Sequence, residues 1–260
     1  MDIGHPANFL FALDGIVLSD IPTCVLDSLP RIESEYCRAF SRESDQVMAF
    51  CSRLLRRALI SAATITEKQE LVFGNTPTGR PYVDSDCSPF PDLEFNISHS
   101  NGLLDVLLVP EGACGVDIEV HDDQMVPADL MTAAHFSDKE LGFMSQAQGE
   151  HDLKRRFYLV WTLKEALLKH RGDGLAGIGE LDIFDVVNVS PQRHTFDVLG
   201  LDPELEFYVD LNERYSLACV YSKRLMPLNS RFYSPEQSLD FIKDLERRDK
   251  PNTITRMMLP

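Results

Sequence analysis

The sequence predicts an α+β protein of two similar halves, each a small antiparallel sheet packed on a long helix. Three observations predict it. Strand-like apolar runs come in two batches, one ending near residue 109 and one starting near residue 114. Each batch is accompanied by one long stretch of helical spacing, 45–60 and 151–170, that carries cations on one face. Between the batches lies a turn-rich junction near 110–114. The expected organisation is therefore a half at 1–112, a half at 113–228 and a C-terminal tail at 229–260.

The elements follow in order. Residues 1–30 alternate apolar stretches, such as Phe9–Leu13 and Gly15–Leu18, with turn residues, and read as strands or connectors. Residues 31–43 have a helical pattern with Arg31, Glu33, Glu35 and Arg38 at charged positions. Asp45 is placed to cap a second helix running through Ile60, with Val47, Phe50, Leu54 and Leu55 on one stripe. Residues 74–92 are rich in Gly, Pro, Asp and Ser and predict a loop with a short strand at Arg80–Val83. Phe95–Ser98 and Leu103–Val109 read as strands joined by a turn at Asn101-Gly102. Gly112 precedes another strand, Cys114–Val120, and a short helix is expected at Ala128–His135. Ser137-Asp138-Lys139-Glu140 is a capping box that starts a further helix. The long helix over 151–170 stops at Gly172-Asp173-Gly174, a C-cap signal. Strands follow near Leu181–Val189, Thr195–Val198, Leu205–Asp210 and Tyr215–Tyr221. The tail holds one helix, Pro235–Arg248.

Composition narrows the function classes. The net charge of −16 argues against nucleic-acid binding, which needs a basic footprint. No apolar run reaches the roughly 18 residues of a membrane span, and the first residues lack the pattern of a signal peptide. Six scattered cysteines without a Cys-x-x-Cys pair read as reduced thiols, so a cytoplasmic protein without structural zinc is expected. The cations cluster at Arg53/Arg56/Arg57, at Lys154/Arg155/Arg156 and at Lys164/Lys169/His170/Arg171. An acidic chain that gathers its cations this way reads as having an anionic ligand or solvated helix faces.

Two segments carry the chemistry. In Gly115-Val116-Asp117-Ile118-Glu119, strand alternation puts both carboxylates on one face, a pair suited to a hard cation such as Mg²⁺ or to plain solvation. In Trp161–Lys169, a spacing of four lines up Trp161, Glu165 and Lys169, with Lys164 one step to the side. Phe95-Asn96-Ile97-Ser98-His99-Ser100 ends a strand with an amide, hydroxyls and an imidazole, groups that bind phosphate or make an ordinary turn.

The order Gly79-Arg80-Pro81, Phe95–Ser100, Gly115–Glu119, Phe136-Ser137-x-x-Glu140 and Trp161-x-x-Lys164-Glu165-x-x-x-Lys169-x-x-Gly172-x-Gly174-Leu175 resembles the 4′-phosphopantetheinyl transferases. It looks like the larger, surfactin-synthetase-activating type, in which one monomeric chain holds both halves. The resemblance covers about residues 35–175. It implies transfer of the 4′-phosphopantetheine of coenzyme A to a serine of an acyl, peptidyl or aryl carrier protein, with release of 3′,5′-ADP. The pathways it implies are fatty-acid, polyketide or nonribosomal-peptide synthesis. It further implies Asp117, Glu119 and Glu140 as ligands of Mg²⁺, with Mn²⁺ as the alternative metal. Glu165 matches the base toward the carrier serine. Lys169 matches a pyrophosphate-binding lysine, and Lys164 belongs to the same motif. Ser98 and His99 match contacts to coenzyme A phosphates, His99 at the 3′-phosphate. Gly79, Arg80 and Pro81 match the Gly-Lys-Pro loop near the adenine, with arginine for lysine.

Two departures stand out. Met48 occupies the place of an arginine used for the 3′-phosphate, so Arg38, Arg42 or Arg53 is expected to substitute. The acidic balance also opposes encounter with carriers, which are themselves acidic, so a local patch is needed. Val126–Phe143, with Val126, Leu130, Met131 and Phe136, is the candidate docking surface. The competing readings are a non-catalytic coenzyme A- or carrier-binding protein on the same fold, and a metal-dependent phosphatase or nuclease using Asp117 and Glu119.

Overall fold

Two helices of 22 residues each flank a pair of sheets that pack against one another. The computed structural model describes residues 5–64, 66–84, 92–121, 135–174, 177–192, 196–222 and 227–245. In chain order the elements are β1 (Ala7–Ala12), α1 (Thr23–Leu26), α2 (Arg31–Arg38), α3 (Glu43–Thr64), β2 (Phe73–Asn75), β3 (Pro81–Val83), β4 (Glu94–Ser100), β5 (Leu103–Val109), β6 (Cys114–Val120), α4 (Asp138–Ser145), α5 (Glu150–Arg171), β7 (Val187–Pro191), β8 (Phe196–Gly200), β9 (Leu205–Leu211), β10 (Tyr215–Ser222), β11 (Asn229–Tyr233) and α6 (Pro235–Lys243).

The first sheet has the order β11-β1-β5-β4 and the second β6-β10-β9, with separate hairpins β2-β3 and β7-β8. All pairings are antiparallel except β1 with β11, which is parallel. Side-chain alternation explains the layering. In β1 and β5, Phe9, Phe11, Leu104, Val106 and Leu108 face α3, whereas Leu10, Ala12, Leu103, Leu107 and Val109 face the second sheet. In β10, Leu217, Cys219 and Tyr221 return that contact, while Ala218 and Val220 face α5. The result is helix, sheet, sheet, helix, the α+β architecture expected.

Several details differ from expectation. Asp45 lies inside the first turn of α3, which starts at Glu43 and runs on to Thr64. The strand expected from Leu181 begins only at Val187, after a 3-10 turn at Ile183–Asp185. The segment expected as a tail returns to the first half: β11 pairs with β1, and Tyr233 stacks on Phe11 at 4.6 Å. The last helix, expected to run to Arg248, ends at Lys243 with its C-cap at Asp244, and residues 128–134 of the helix expected at 128–135 lie outside the described residues. No described helix is long and apolar enough to cross a membrane.

Candidate active site

The close approach of β6 to α5 builds the site. Gly115 has no Cβ, and one added there would stand 2.0 Å from the Ala166 carbonyl oxygen and 2.5 Å from the His170 nitrogen. Only glycine admits the helix that near. Asp117 and Glu119 share the face of Gly115 by alternation, so they too are turned to α5, where Glu165 and Lys169 lie four apart.

The contacts are direct. Lys169 Nζ stands 2.6 Å from Asp117 Oδ1, 3.0 Å from Ser98 Oγ and 3.8 Å from Glu165 Oε2. The Ser98 hydroxyl donates to Asp117 Oδ1 at 2.8 Å, and the Ser100 hydroxyl to Glu119 Oε2 at 2.9 Å. Burial and the negative charge of Asp117 push the Glu119 carboxyl up, against the pull of Ser100, Lys169 and Trp161. Burial and then the charge of Asp117 push Glu165 well above the usual carboxylate range; Lys169 opposes this and Glu119 adds to it. Three carboxylates thus share one ammonium.

That imbalance, and Asp117 Oδ2, which is buried without a hydrogen-bond partner, fit an added hard cation. Among the described residues no three His, Cys, Asp or Glu side chains already stand arranged around a metal position. The ammonium of Lys169 occupies the Asp117 oxygen instead.

β4 anchors the strand that bears the carboxylates. β6 is an edge strand, and its outward N–H groups need partners. Asn96 Oδ1 accepts from Val116 N at 3.1 Å and Ser100 Oγ from Val120 N at 3.1 Å. Asn96, Ser98 and Ser100 are each two apart on β4, so one face of that strand joins the two halves. The period-two polar pattern in Asn-Ile-Ser-His-Ser is the sequence signal for this ladder.

Two expected site residues are elsewhere. Glu140 is 0% exposed: its oxygens accept from Ser137 N at 2.8 Å and Ile183 N at 2.9 Å, and it pairs with Lys164 Nζ at 2.6 Å. Lys164 is likewise 0% exposed and also donates to the Leu181 carbonyl. The assignment of Glu140 to the metal is therefore corrected. Three donors already engage the two oxygens of this buried capping-box glutamate, and Lys164 supplies its counter-charge. Lys164 is corrected with it, from a catalytic group to the buried counter-ion of Glu140.

Cavities mark where a ligand can enter. One of about 250 Å³ lies between Gly79, Arg80 and Pro81 on one side and Glu165, Lys169 and Gly172 on the other. Gly79 adopts φ +86, a left-handed turn conformation that glycine takes without strain, and the turn closes through Gly79 N to the Thr76 carbonyl at 2.9 Å. A second cavity of about 750 Å³ is lined by Arg42, Met48, Arg53, His99 and Ser100. Arg53 is held there over the Tyr36 ring at 4.2 Å and donates to the Ala49 carbonyl. Arg38 is not among the lining residues; it faces Asp27 at 3.6 Å and Ser34 at 3.4 Å. Of the expected docking residues, Val126, Leu130 and Met131 lie outside the described residues. Phe136 is buried against Phe157 and Trp161 and offers no surface.

One buried pair had no signal in the chemistry-bearing motifs. Asn8 donates to Asp105 Oδ1 at 3.0 Å, both residues fully buried, and Asp105 pairs with Ser98 in the β4–β5 register. Its carboxylate breaks an otherwise apolar strand, Leu-Leu-Asp-Val-Leu-Leu-Val, and burial pushes it well above its ordinary range.

Comparison with known proteins gives one answer. A family model described as the 4′-phosphopantetheinyl transferase superfamily matches residues 113–220, and one described as 4′-phosphopantetheinyl transferase, N-terminal, matches 21–108. A 4′-phosphopantetheinyl transferase of Bacillus subtilis is 30% identical over 186 residues, 71% of this chain and 78% of that protein. The 4′-phosphopantetheinyl transferase AcpT of Salmonella typhi is 32% identical over 189 residues, covering 72% and 88%. An L-aminoadipate-semialdehyde dehydrogenase-phosphopantetheinyl transferase of Schizosaccharomyces pombe is 30% identical over 164 residues, covering 58% and 61%. Against several relatives the chain spans only 54–61% of their length.

Proposed function

The chain belongs to the 4′-phosphopantetheinyl transferase superfamily, and from that premise we propose that it moves the 4′-phosphopantetheine arm of coenzyme A to a serine of an apo acyl, peptidyl or aryl carrier protein. The products are the holo-carrier and 3′,5′-ADP. The observation that carries this reading is the convergence of Asp117, Glu119, Glu165 and Lys169 beside the cavity walled by the 79–81 loop.

In this reading Asp117, Glu119 and Glu165 hold a divalent cation, Mg²⁺ with Mn²⁺ as the alternative. Such an ion, held there, would offset charge on the pyrophosphate and on the departing ADP. Lys169 presents its ammonium to the pyrophosphate, where it stabilises the charge on the departing 3′,5′-ADP. Glu165 lines the cavity where the serine must enter, and it takes the hydroxyl proton. Ser98 and His99 contact the phosphates. Arg42 and Arg53 flank Met48 in the second cavity and stand in for the expected arginine at the 3′-phosphate. Gly79 and Pro81 form the wall on the adenine side. The chain acts as a monomer in the cytoplasm.

Incubation with coenzyme A, Mg²⁺ and a panel of apo-carriers tests the proposal by intact mass. Gain of one phosphopantetheine on a carrier is the expected result. Binding of coenzyme A without transfer to any carrier favours a non-catalytic role, and hydrolysis of simple phosphate esters without use of coenzyme A favours a phosphatase.

A further inference from the structure

Arg80 lines the first cavity, yet its guanidinium is turned into the protein. Nη1 donates to the Lys169 carbonyl at 2.9 Å. Nη2 donates to Glu94 Oε2 at 3.1 Å, to the Phe95 carbonyl at 3.5 Å and to Cys114 Sγ at 3.8 Å. The side chain is 15% exposed. These partners come from the start of β4, the start of β6 and the last turn of α5, so one side chain ties together both halves.

The contact with Lys169 has a specific cause. The last four carbonyls of a helix have no intrahelical donor. At the end of α5 both Gly172 N and Asp173 N go to the Leu168 carbonyl. The Lys169 carbonyl is served by Arg80, a cation placed where the helix dipole favours one. Lys169 is thereby gripped twice, at its carbonyl by Arg80 and at its ammonium by Asp117 and Ser98. The backbone of Arg80 is fixed too: its N–H donates to Thr76 Oγ1 at 3.1 Å and its carbonyl accepts from Thr76 N at 2.8 Å.

Resting on the transferase reading above, we propose that Arg80 is a positioning residue: it clamps the 76–81 loop to the end of α5 and so sets where the Lys169 ammonium stands. A lysine at this position would keep the charge, but its single nitrogen cannot span Lys169 on one side and Glu94 with Phe95 on the other. Arginine is therefore needed here for its fork.

The test uses the full chain carrying Arg80→Lys and Arg80→Gln, each alone and combined with Lys169→Ala. For Arg80→Lys, kcat falls about tenfold or more while coenzyme A affinity, read by calorimetry, stays within about threefold. In the Lys169→Ala background the same change costs nothing further, because the group it positions is gone. Amide exchange over 165–172 becomes about tenfold faster and exchange in α3 is unchanged. Unchanged exchange in Arg80→Lys overturns the clamp. Retained kcat, or a loss confined to coenzyme A affinity, overturns the positioning role and makes Arg80 a ligand contact. Arg80→Gln, which has no charge, must behave like Arg80→Lys; if only the neutral variant loses kcat, charge rather than the fork matters and the proposal falls. Absence of transfer by the unaltered chain would defeat the transferase reading instead, and the exchange measurement would still decide the clamp.

Discussion

α3 and α5 are equally long, and each covers one sheet, yet the cluster of Asp117, Glu119, Glu165 and Lys169 forms only against α5. α3 meets its sheet through Leu55, Ala58, Leu59 and Ala62, all fully buried. Its cations Arg56 and Arg57 turn away to Glu33 on α2, at 3.3 and 2.7 Å. α5 meets its sheet across Gly115, and the proximity brings charged groups of helix and strand together. The same layer design therefore gives an apolar or a charged helix–sheet seam according to how near the helix lies and which side chains fill the gap.

The comparison is broken most completely at the charges themselves. Lys169→Ala, Glu119→Ala or Glu165→Ala is expected to lower transfer about a thousandfold while the circular dichroism spectrum and Tm remain near those of the unaltered chain. Equal activity in any of them would remove that residue from the reaction. Next comes the buried pair on the outer side of α5. Lys164→Ala strands Glu140 without its counter-ion and should destabilise the protein by about 3–5 kcal/mol in urea titration. The double change Lys164→Met with Glu140→Gln should recover only part of that loss, because the amide nitrogen cannot accept from Ser137 N or Ile183 N, and metal affinity should be unaltered throughout.

On the α3 side, Leu59→Ala should cost about 2–5 kcal/mol of stability and leave the kcat of the folded fraction unchanged. Gly115→Ala is its counterpart on α5: about 1–3 kcal/mol of stability, but a kcat lower by about a hundredfold because the helix must move. If both variants affected stability and kcat alike, the division between the halves would be wrong.

The smallest effect is on acid stability. Burial pushes Glu33 up, but the hydrogen bond from Arg57 and the charges of Arg56, Arg57 and Arg53 outweigh it and leave the carboxyl below its ordinary 4.5. A depressed carboxyl stabilises the fold above its ordinary value, and that contribution disappears as pH falls through its folded value. Glu33→Gln should thus be less stable by about 1 kcal/mol at pH 7, with the gap closing on acidification into that window. A gap that stayed constant with pH would show that the ion pair is not its source.

What the sequence made legible follows from periodicity. β6 and α5 could be placed because Asp-Ile-Glu alternates and Trp161, Glu165 and Lys169 repeat at four, and both patterns are local. Glu140 was misplaced because a capping-box glutamate and a metal ligand look alike until Lys164, 24 positions away, is seen to meet it. β11 escaped because Asn-Ser-Arg-Phe-Tyr has no alternating apolar face; its pairing with β1 is a property of distant chain. Arg80 matched a ligand loop by position, whereas its partners are two carbonyls, the Glu94 carboxylate and a thiol that no motif encodes.

The return of β11 to β1 has a consequence for the order in which the protein can be completed. During synthesis β1 emerges well ahead of its partners: the strand that closes its outer edge, and the Phe241 ring that packs edge-on against Phe11, come more than two hundred residues later. For most of synthesis the first sheet has an open edge and an uncovered aromatic surface. The second sheet has all of its strands, β6, β9 and β10, once residue 222 is made, while the first still waits for its last piece.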